Sequence, residues 1–226
     1  MKILFIGDVV GKSGRRALRR FLPELQDETE ADLTVVNAEN AAGGFGVTAG
    51  VLEEFLEQSE IDVLTSGNHI WDKREALDLI QDEPRLLRPH NYPEDTPGSG
   101  WIVATASNGV RVGVLNIMGT VFMHPTLDCP FSSANLAIEK KPSDVQAVLV
   151  DFHAEATSEK VAMGWYLDGR VSAVVGTHTH VPTADERVLP QGTAHISDVG
   201  MTGCYNSVIG METAGVLKRF VQRVPE

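Results

Sequence analysis

Polar side chains that can bind metal ions recur where apolar runs of the sequence end. Five such ends carry Asp, Glu, Asn or His: Asp8; Glu39 and Asn40; Asn68 and His69; His153; and His178 and His180. An open α/β sheet presents its ligands at the carboxyl ends of its strands, so these side chains are expected to converge there. Imidazole nitrogens with carboxylate and amide oxygens, and without thiolates, suit Mn, Fe or Zn.

The number of these groups exceeds what one ion requires. The surplus predicts two cations bridged by a carboxylate, which suits displacement at phosphorus because both the attacking and the leaving oxygens are stabilised. Singly, several residues have simpler interpretations. Asp8 could cap the helix that follows it, Glu39 and Asn40 could be turn residues, and His153 alone could be a half-buried structural histidine.

The pair His178 and His180 is the more specific signal. Alternate residues of an extended chain point to the same side, so both imidazoles could reach one cluster. The remaining histidines do not lie with other potential ligands at the end of a predicted strand. A surface or structural role is therefore predicted for all three: His90, His124 and His195.

The elements that must position these residues alternate between strands and helices. Apolar runs predict strands at Lys2–Gly7, Leu33–Val36, Val63–Ser66, Ala147–Phe152 and Val171–Val175. Helical spacing predicts helices at Arg15–Gln26, Ser158–Leu167 and Glu212–Arg223. Two more helices are predicted, one from the N-cap Thr48 through Gln58 and one after a possible N-cap at Asp72. A late strand pair is predicted at Arg187–Leu189 and Ala194–Asp198.

The middle of the chain interrupts this alternation. Trp101–Ala106 and Val110–Ile117 predict a hairpin around an Asn-Gly turn. The stretch Met118–Ser133 is predicted to be irregular, and its part up to Phe131 is a candidate substrate-side loop. In that loop Phe122 or Phe131 could stack a base or pack in the core. The whole pattern favours two packed mixed sheets flanked by helices, with a single doubly wound sheet as the alternative.

Length and composition narrow the classes of function. The 226 residues contain no recognisable linker, which predicts a single domain over residues 1–226. A net charge of −12 argues against binding long duplex nucleic acid, but a small anionic substrate remains compatible because bound cations reverse the local field. Cys129 and Cys204 form no metal motif or disulfide framework. Without a signal peptide or an apolar span, the prediction is a cytoplasmic protein that does not bind membranes.

Two familiar motifs are absent. The segment 7–13 resembles a phosphate-binding Walker A loop but lacks one residue between its glycines, so it would not form that cradle. The Gly-x-Ser-x-Gly nucleophile elbow does not occur, which removes the usual serine-hydrolase route on an α/β sheet.

The order of the motifs resembles the calcineurin-like metallophosphoesterases, and more closely their bacterial YmdB-like phosphodiesterase branch. The matching segments are Gly-Asp-Val-Val-Gly at 7–11, Asn-Ala-Glu-Asn at 37–40, Ser-Gly-Asn-His at 66–69, Asp-Phe-His-Ala-Glu at 151–155 and Gly-Thr-His-Thr-His at 176–180. Further similarity lies at 128–131 and 198–203, so the resemblance runs through the whole chain. The broader superfamily has a histidine where Val10 stands, and a Gly-Asp motif where this chain has Asn-Ala-Glu-Asn.

The resemblance implies a four-layer α/β/β/α sandwich of two mixed sheets with a dinuclear metal site at the sheet ends. It implies that Asp8, Asn40 and His180 bind one cation. It also implies that Asn68, His153 and His178 bind the second cation, that Glu39 bridges both cations, and that His69 is catalytic. The implied cofactors are two divalent or mixed-valence ions, Fe or Mn, with Zn as an alternative.

These implications lead to a mechanistic hypothesis. A hydroxide held between the metals attacks phosphorus in line with the departing oxygen, and His69 protonates the leaving alkoxide. The expected substrates are small phosphodiesters, including 2′,3′-cyclic and 3′,5′-cyclic nucleotides. The alternatives are a phosphomonoesterase or nuclease with the same site, and a regulatory protein that senses a nucleotide without turnover. The chain could also assemble as a homo-oligomer.

Overall fold

The computed structural model describes residues 1–57 and 61–223. Within them, strands and helices alternate through most of the chain. The strands are β1 (Ile3–Ile6), β2 (Leu33–Asn37), β3 (Val63–Thr65), β4 (Trp101–Thr105), β5 (Arg111–Met118), β6 (Ala147–His153), β7 (Ala173–Thr177), β8 (Arg187–Val188) and β9 (Ala194–Ile196). The helices are α1 (Gly11–Thr29), α2 (Ala49–Glu57), α3 (Ala76–Asp82), α4 (Pro130–Glu139), α5 (Thr157–Leu167) and α6 (Thr213–Gln222).

The strands form two sheets. The smaller has the order β1-β2-β3, and both of its pairings are parallel. The larger has the order β4-β5-β6-β7-β9-β8 and is mixed, because β4 pairs antiparallel with β5, and β8 with β9, while the pairings between β5, β6, β7 and β9 are parallel. Both predicted strand pairs, at the Asn-Gly hairpin and near the end of the chain, are therefore confirmed.

The smaller sheet has helices on one face and the larger sheet on the other. Successive side chains of a strand point to opposite faces. In β2, Val36 packs in one cluster with Leu18 of α1 and Phe55 of α2. Its neighbour Val35 packs in a second cluster that contains Val114 of β5.

The larger sheet repeats this division. Leu149 of β6 belongs to the cluster between the sheets, with Val63 of β3. The next residue, Val150, packs instead with Met163 and Leu167 of α5. Three apolar clusters thus separate four layers, which confirms the α/β/β/α sandwich and makes the single doubly wound sheet wrong.

Two features of the architecture differ from the sequence predictions. The smaller sheet is parallel in both pairings, so only the larger sheet is mixed. Helix α4 occupies the end of the segment predicted to be irregular. Pro130 begins this helix, where the missing N–H of proline is no disadvantage. Its buried residues Ala134 and Ala137 pack against the larger sheet.

The helix caps were predicted with mixed success. Thr48 lies directly before α2, and its Oγ1 accepts a 3.4 Å hydrogen bond from the amide of Val51, as expected for an N-cap. The predicted end of this helix at Gln58 lies outside the described residues. The predicted cap at Asp72 is wrong, because Glu75 precedes α3 and makes no side-chain capping bond.

The structure also bears on the predictions about membrane spans and about the two cysteines. None of the helices within the described ranges combines the length and apolar character needed to cross a bilayer. Cys129 and Cys204 are both exposed free thiols, as predicted.

Candidate metal centre and active site

The structure brings the predicted polar residues together at the carboxyl ends of five strands. Asp8 follows β1, Glu39 and Asn40 follow β2, Asn68 and His69 follow β3, His153 ends β6, and His178 and His180 follow β7. The strands come from both sheets, so the cluster spans the boundary between them. This convergence is the arrangement that the sequence predicted.

One half of the cluster contains Asp8, Asn40 and His180. Nδ2 of Asn40 lies 3.0 Å from Nε2 of His180. The same nitrogen of His180 lies 3.8 Å from Oδ1 of Asp8. Asp8 is fully buried, and its Oδ2 accepts a 3.2 Å hydrogen bond from the amide of His178. Its Oδ1 has no hydrogen-bond partner among the described residues.

The other half is centred on Nε2 of His153. This nitrogen lies 3.1 Å from Oε1 of Glu39, 3.1 Å from Oδ1 of Asn68 and 3.0 Å from Nδ1 of His178. The potential ligand atoms of Glu39, His153 and His178 all lie within 4.8 Å of one another. Glu39 connects the two halves, because its Oε1 also accepts a 3.4 Å hydrogen bond from Asn40.

Burial and the charges of neighbouring side chains shift the pKa values of the residues in this cluster. Burial raises the pKa of Asp8 to about 6. Burial alone would lower the pKa of His153, but the charge and hydrogen bond of Glu39 outweigh it and raise that pKa to about 9. Burial and the charge of His153 lower the pKa of His178 to about 3. A proton on His153 therefore balances the buried carboxylates when no cation is bound.

These groups fit bound metal ions. The unpartnered Oδ1 of Asp8 is costly when buried alone, and a cation would satisfy it. A single nitrogen of His153 faces three polar groups, an arrangement typical of ligands around a common ion. A Cβ atom added at Gly67 would overlap both Glu39 and His153, so glycine is needed there for these two side chains to lie against the backbone.

A buried hydrogen-bond network sets the orientation of His153. Its Nδ1 lies 2.9 Å from Oγ1 of Thr177, and that hydroxyl donates a 2.7 Å bond to Oδ1 of Asp151. Thr177 therefore accepts from Nδ1–H and leaves Nε2 to face the cluster. Asp151 also accepts hydrogen bonds from Asn37 and Thr65 of the smaller sheet. The carboxylate thus joins the two sheets beneath the site.

This role of Asp151 was not predicted from the sequence, although the residue begins the matching segment at 151–155. A carboxylate inside the apolar run of β6 was the available signal, because a charge in a buried strand requires partners.

The segment that carries His178 and His180 is not extended. Strand β7 ends at Thr177, and the two histidines have φ values of 98° and 65°. The predicted convergence is correct, but the reason given for it, alternation along an extended chain, is wrong. The two imidazoles instead contribute to different halves of the cluster.

Asp198 holds this strained segment in place. Its Oδ2 accepts hydrogen bonds from the amide and the hydroxyl of Thr179, at 3.2 and 2.8 Å. Oδ2 also pairs with Nζ of Lys160 at 2.5 Å, while Oδ1 accepts from the amide of Gly200 at 2.8 Å. Left-handed non-glycine residues cost of order 1–3 kcal/mol each and persist only when their surroundings hold them. The buried ion pair supplies that support.

His69 lies at the rim of the cluster. Its side chain remains 29% exposed, and its Nδ1 lies 2.8 Å from Oδ2 of Asp72. Its amide donates a 3.4 Å hydrogen bond to Oε2 of Glu39. The ring of Phe45 contacts the imidazole edge-on, with centroids 4.9 Å apart. Asp72 therefore orients His69 instead of capping a helix.

The residues not expected at the centre occupy other places. His195 is buried 3.3 Å from the carbonyl of Lys160, in keeping with the predicted structural role. Of the two candidate stacking residues, Phe131 packs edge-on against Tyr166, whereas Phe122 is 83% exposed. Val10 is buried where the broader superfamily has a histidine.

Known proteins are similar to this chain along nearly its whole length. A family model described as YmdB-like protein matches residues 4–226. A 2′,3′-cyclic-nucleotide 2′-phosphodiesterase of Bacillus subtilis (strain 168) is 50% identical over 225 residues, which cover 100% of this chain and 84% of that protein.

Two solved structures are similar throughout this chain. A crystal structure of a hypothetical protein from Thermus thermophilus has a TM-score of 0.93 and 44% identity, and the match covers 100% of this chain and 86% of that one. A structure described as a novel phosphatase from Mycoplasma pneumoniae has a TM-score of 0.92 and 35% identity, with 100% and 81% covered.

Proposed function

The chain belongs to the YmdB-like family, and on that premise we propose that it hydrolyses small phosphodiesters, cyclic nucleotides in particular, at a centre of two cations. The observation that carries the proposal is the convergence of five strand ends on the buried carboxylate of Glu39. The similarity to the Bacillus subtilis phosphodiesterase supports the choice of substrate.

In this proposal, each half of the cluster holds one cation. Asp8, Asn40 and His180 hold the first, and Asn68, His153 and His178 hold the second. Glu39 is shared, in keeping with its contacts to both halves. When bound, the two cations would polarise the phosphoryl oxygens and lower the pKa of water. The mixed oxygen and imidazole donors suit Fe or Mn, with Zn as the alternative.

His69 supplies the proton that the leaving group needs. Water adds to phosphorus and loses one proton to solvent as the bond to the ester oxygen breaks. The departing alkoxide takes the proton from His69, which solvent then reprotonates. Asp72, 2.8 Å from Nδ1, accepts a hydrogen bond from that nitrogen and leaves Nε2 available for that transfer. General acid assistance of this kind contributes about 10²–10⁴-fold.

A phosphomonoesterase with the same centre is the second candidate. It is favoured by the similarity to the Mycoplasma pneumoniae structure described as a phosphatase. A nuclease acting on long duplexes fits less well, because the net charge of −12 provides no broad phosphate-binding surface. A sensor without turnover would have no use for His69 held by a carboxylate at the rim.

Turnover of matched esters by the metal-loaded protein tests the proposal. The protein is stripped of metal, reloaded with Fe, Mn or Zn, and assayed with 2′,3′-cyclic AMP, 3′,5′-cyclic AMP, bis-p-nitrophenyl phosphate and p-nitrophenyl phosphate. We expect the diesters to be hydrolysed with a higher kcat/KM than the monoester. A preference for the monoester would establish the second candidate, and no turnover with any metal would reject both.

A further inference from the structure

Phe45 is an exposed aromatic residue at the edge of the candidate active site. It remains 43% exposed although it contacts the imidazole of His69. The centroids of the two rings are 4.9 Å apart and the planes are inclined by 63°. An exposed aromatic ring beside a polar centre offers a face on which a nucleobase can stack.

The loop that carries Phe45 has a defined conformation. The amide of Ala42 donates a 2.9 Å hydrogen bond to the carbonyl of Gly46, which closes the loop around Phe45. Gly44 donates to the carbonyl of Asn40 at 3.1 Å, so the loop is tied directly to a proposed cation ligand. From outside, Arg15 donates a 2.6 Å bond to the carbonyl of Ala41.

Two glycines of this loop, Gly43 and Gly44, are required by the backbone and not by packing. Gly43 and Gly44 have φ values of 73° and 104°, which other residues rarely adopt. A Cβ atom at either position would meet no atom within 4 Å. These glycines therefore allow the tight turn that holds Phe45 at a fixed position.

From this placement we propose that Phe45 stacks on the nucleobase of the substrate and determines the preference for nucleotides over other phosphodiesters. The inference rests on the proposed function. His69 protonates a ribose oxygen in that reaction, and in a 2′,3′-cyclic nucleotide the base is attached to the ribose carbon next to the one bearing the 2′ oxygen. A ring in contact with His69 is therefore close to the base. Aromatic rings stack on every base, so no further recognition group is needed.

The test compares two substrates that differ only in the base. One is 2′,3′-cyclic AMP, and the other is methyl β-ribofuranoside 2,3-cyclic phosphate, which has the same cyclic ester and no base. Loss of one stacking contact corresponds to about 5- to 150-fold. We expect Phe45→Ala to lower kcat/KM for cyclic AMP by that factor, mainly through KM, and to change the base-free ester less than twofold. Phe45→Trp should restore the preference.

Phe122→Ala tests the competing candidate, because Phe122 of the predicted substrate-side loop is also an exposed ring, at 83%. It should leave both substrates unchanged. An equal loss on both substrates in Phe45→Ala would overturn the proposal and give Phe45 a role in holding His69. A base-dependent loss in Phe122→Ala, with none in Phe45→Ala, would also overturn it.

A binding measurement separates this inference from the proposed function. If the wild-type protein hydrolyses neither ester, the proposed function fails. Calorimetry with adenosine 3′-phosphate and with methyl riboside 3-phosphate then still tests Phe45. Phe45→Ala should weaken binding of the nucleotide alone, and equal affinities of wild type and variant for the nucleotide would overturn the inference.

Discussion

His153 and Glu39 are the two residues on which the charge balance of the site depends. Both are fully buried, and their 3.1 Å contact pairs an imidazole with a carboxylate where water cannot solvate either. Such a pair is stable only while the charges compensate each other. A cation that binds Nε2 of His153 must therefore replace the proton that is there.

This replacement makes cation binding depend on pH. The pKa of His153 in the metal-free protein is raised to about 9, so the proton is bound at pH 7 and must leave when the cation binds. Affinity should rise about tenfold per pH unit from pH 6 to 9 and level off above. Calorimetry in buffers of different ionisation enthalpy should detect release of about one proton at pH 7. An affinity that is constant over this range would contradict the exchange.

His69 allows chemistry to be separated from cation binding. Its side chain lies outside the contacts that link the proposed ligands, so His69→Ala should lower kcat about 10²–10⁴-fold and leave the metal content unchanged. Metal analysis of the purified variant alongside its kinetics provides the measurement. His178→Ala is the contrasting variant and should lose metal. Loss of metal in His69→Ala would reassign His69 as a ligand.

The polar residues of the cluster could be predicted from the sequence, but their hydrogen-bond and ring partners could not. Residue type and position at a strand end were sufficient for Asp8 or His153. The pairing of Asp72 with His69 and the contact of Phe45 depend on how two loops fold against each other. No local pattern encodes that contact.

Among the elements, the ends of β6 and β7 are coupled by side chains. Thr177 at the end of β7 links His153 at the end of β6 to the buried Asp151. Residues that orient a metal-binding histidine typically contribute 10–100-fold to metal affinity. The register of these two parallel strands, which places His153 opposite Thr177, is therefore part of the site.

Two threonines that bind the same carboxylate test this coupling. Thr177→Val should weaken cation binding 10–100-fold, because Nδ1 of His153 loses its acceptor. Thr65→Val removes another hydrogen bond to Asp151 without touching His153, and should change affinity less than threefold. Each variant should lose about 1–3 kcal/mol of stability in urea unfolding. Equal effects of both variants on cation affinity would show that Thr177 acts only through stability.

The elements themselves were largely predictable, because apolar runs and helical spacing are local properties. The exceptions have physical causes. Helix α4 follows a loop rich in turn residues, and its N-cap is Cys129, which makes no side-chain capping bond, so no polar capping residue marks where the helix begins. The segment after β7 has left-handed residues that are stabilised by side chains distant in the sequence, Asp198 and Asp8 among them.

For the whole molecule, the site lies where the two sheets meet. Asn37 and Thr65 of the smaller sheet bind Asp151 of the larger one beneath the cluster, and the proposed ligands come from both. The hairpin that interrupts the alternation of strands and helices favoured two sheets, and the family resemblance implied the four layers. The parallel pairing throughout the smaller sheet was not predicted, since its short apolar strands do not reveal their direction.

Because the cations would join both sheets, binding should stabilise the whole fold. A cation concentration of 100 times Kd adds about 2.7 kcal/mol, which corresponds to a rise in Tm of about 5–10 °C. Thermal unfolding with Mn²⁺ and with EDTA measures the difference. His69→Ala should keep the shift and His178→Ala should lose most of it. An unchanged Tm in the wild-type protein would argue against cations at this boundary.

The most direct test of the dinuclear centre is an anomalous difference map from crystals of the Mn²⁺-loaded protein. We predict two peaks, one bound by Asp8, Asn40 and His180 and the other by Asn68, His153 and His178, with Glu39 between them. A single peak, or peaks away from these side chains, would contradict the account.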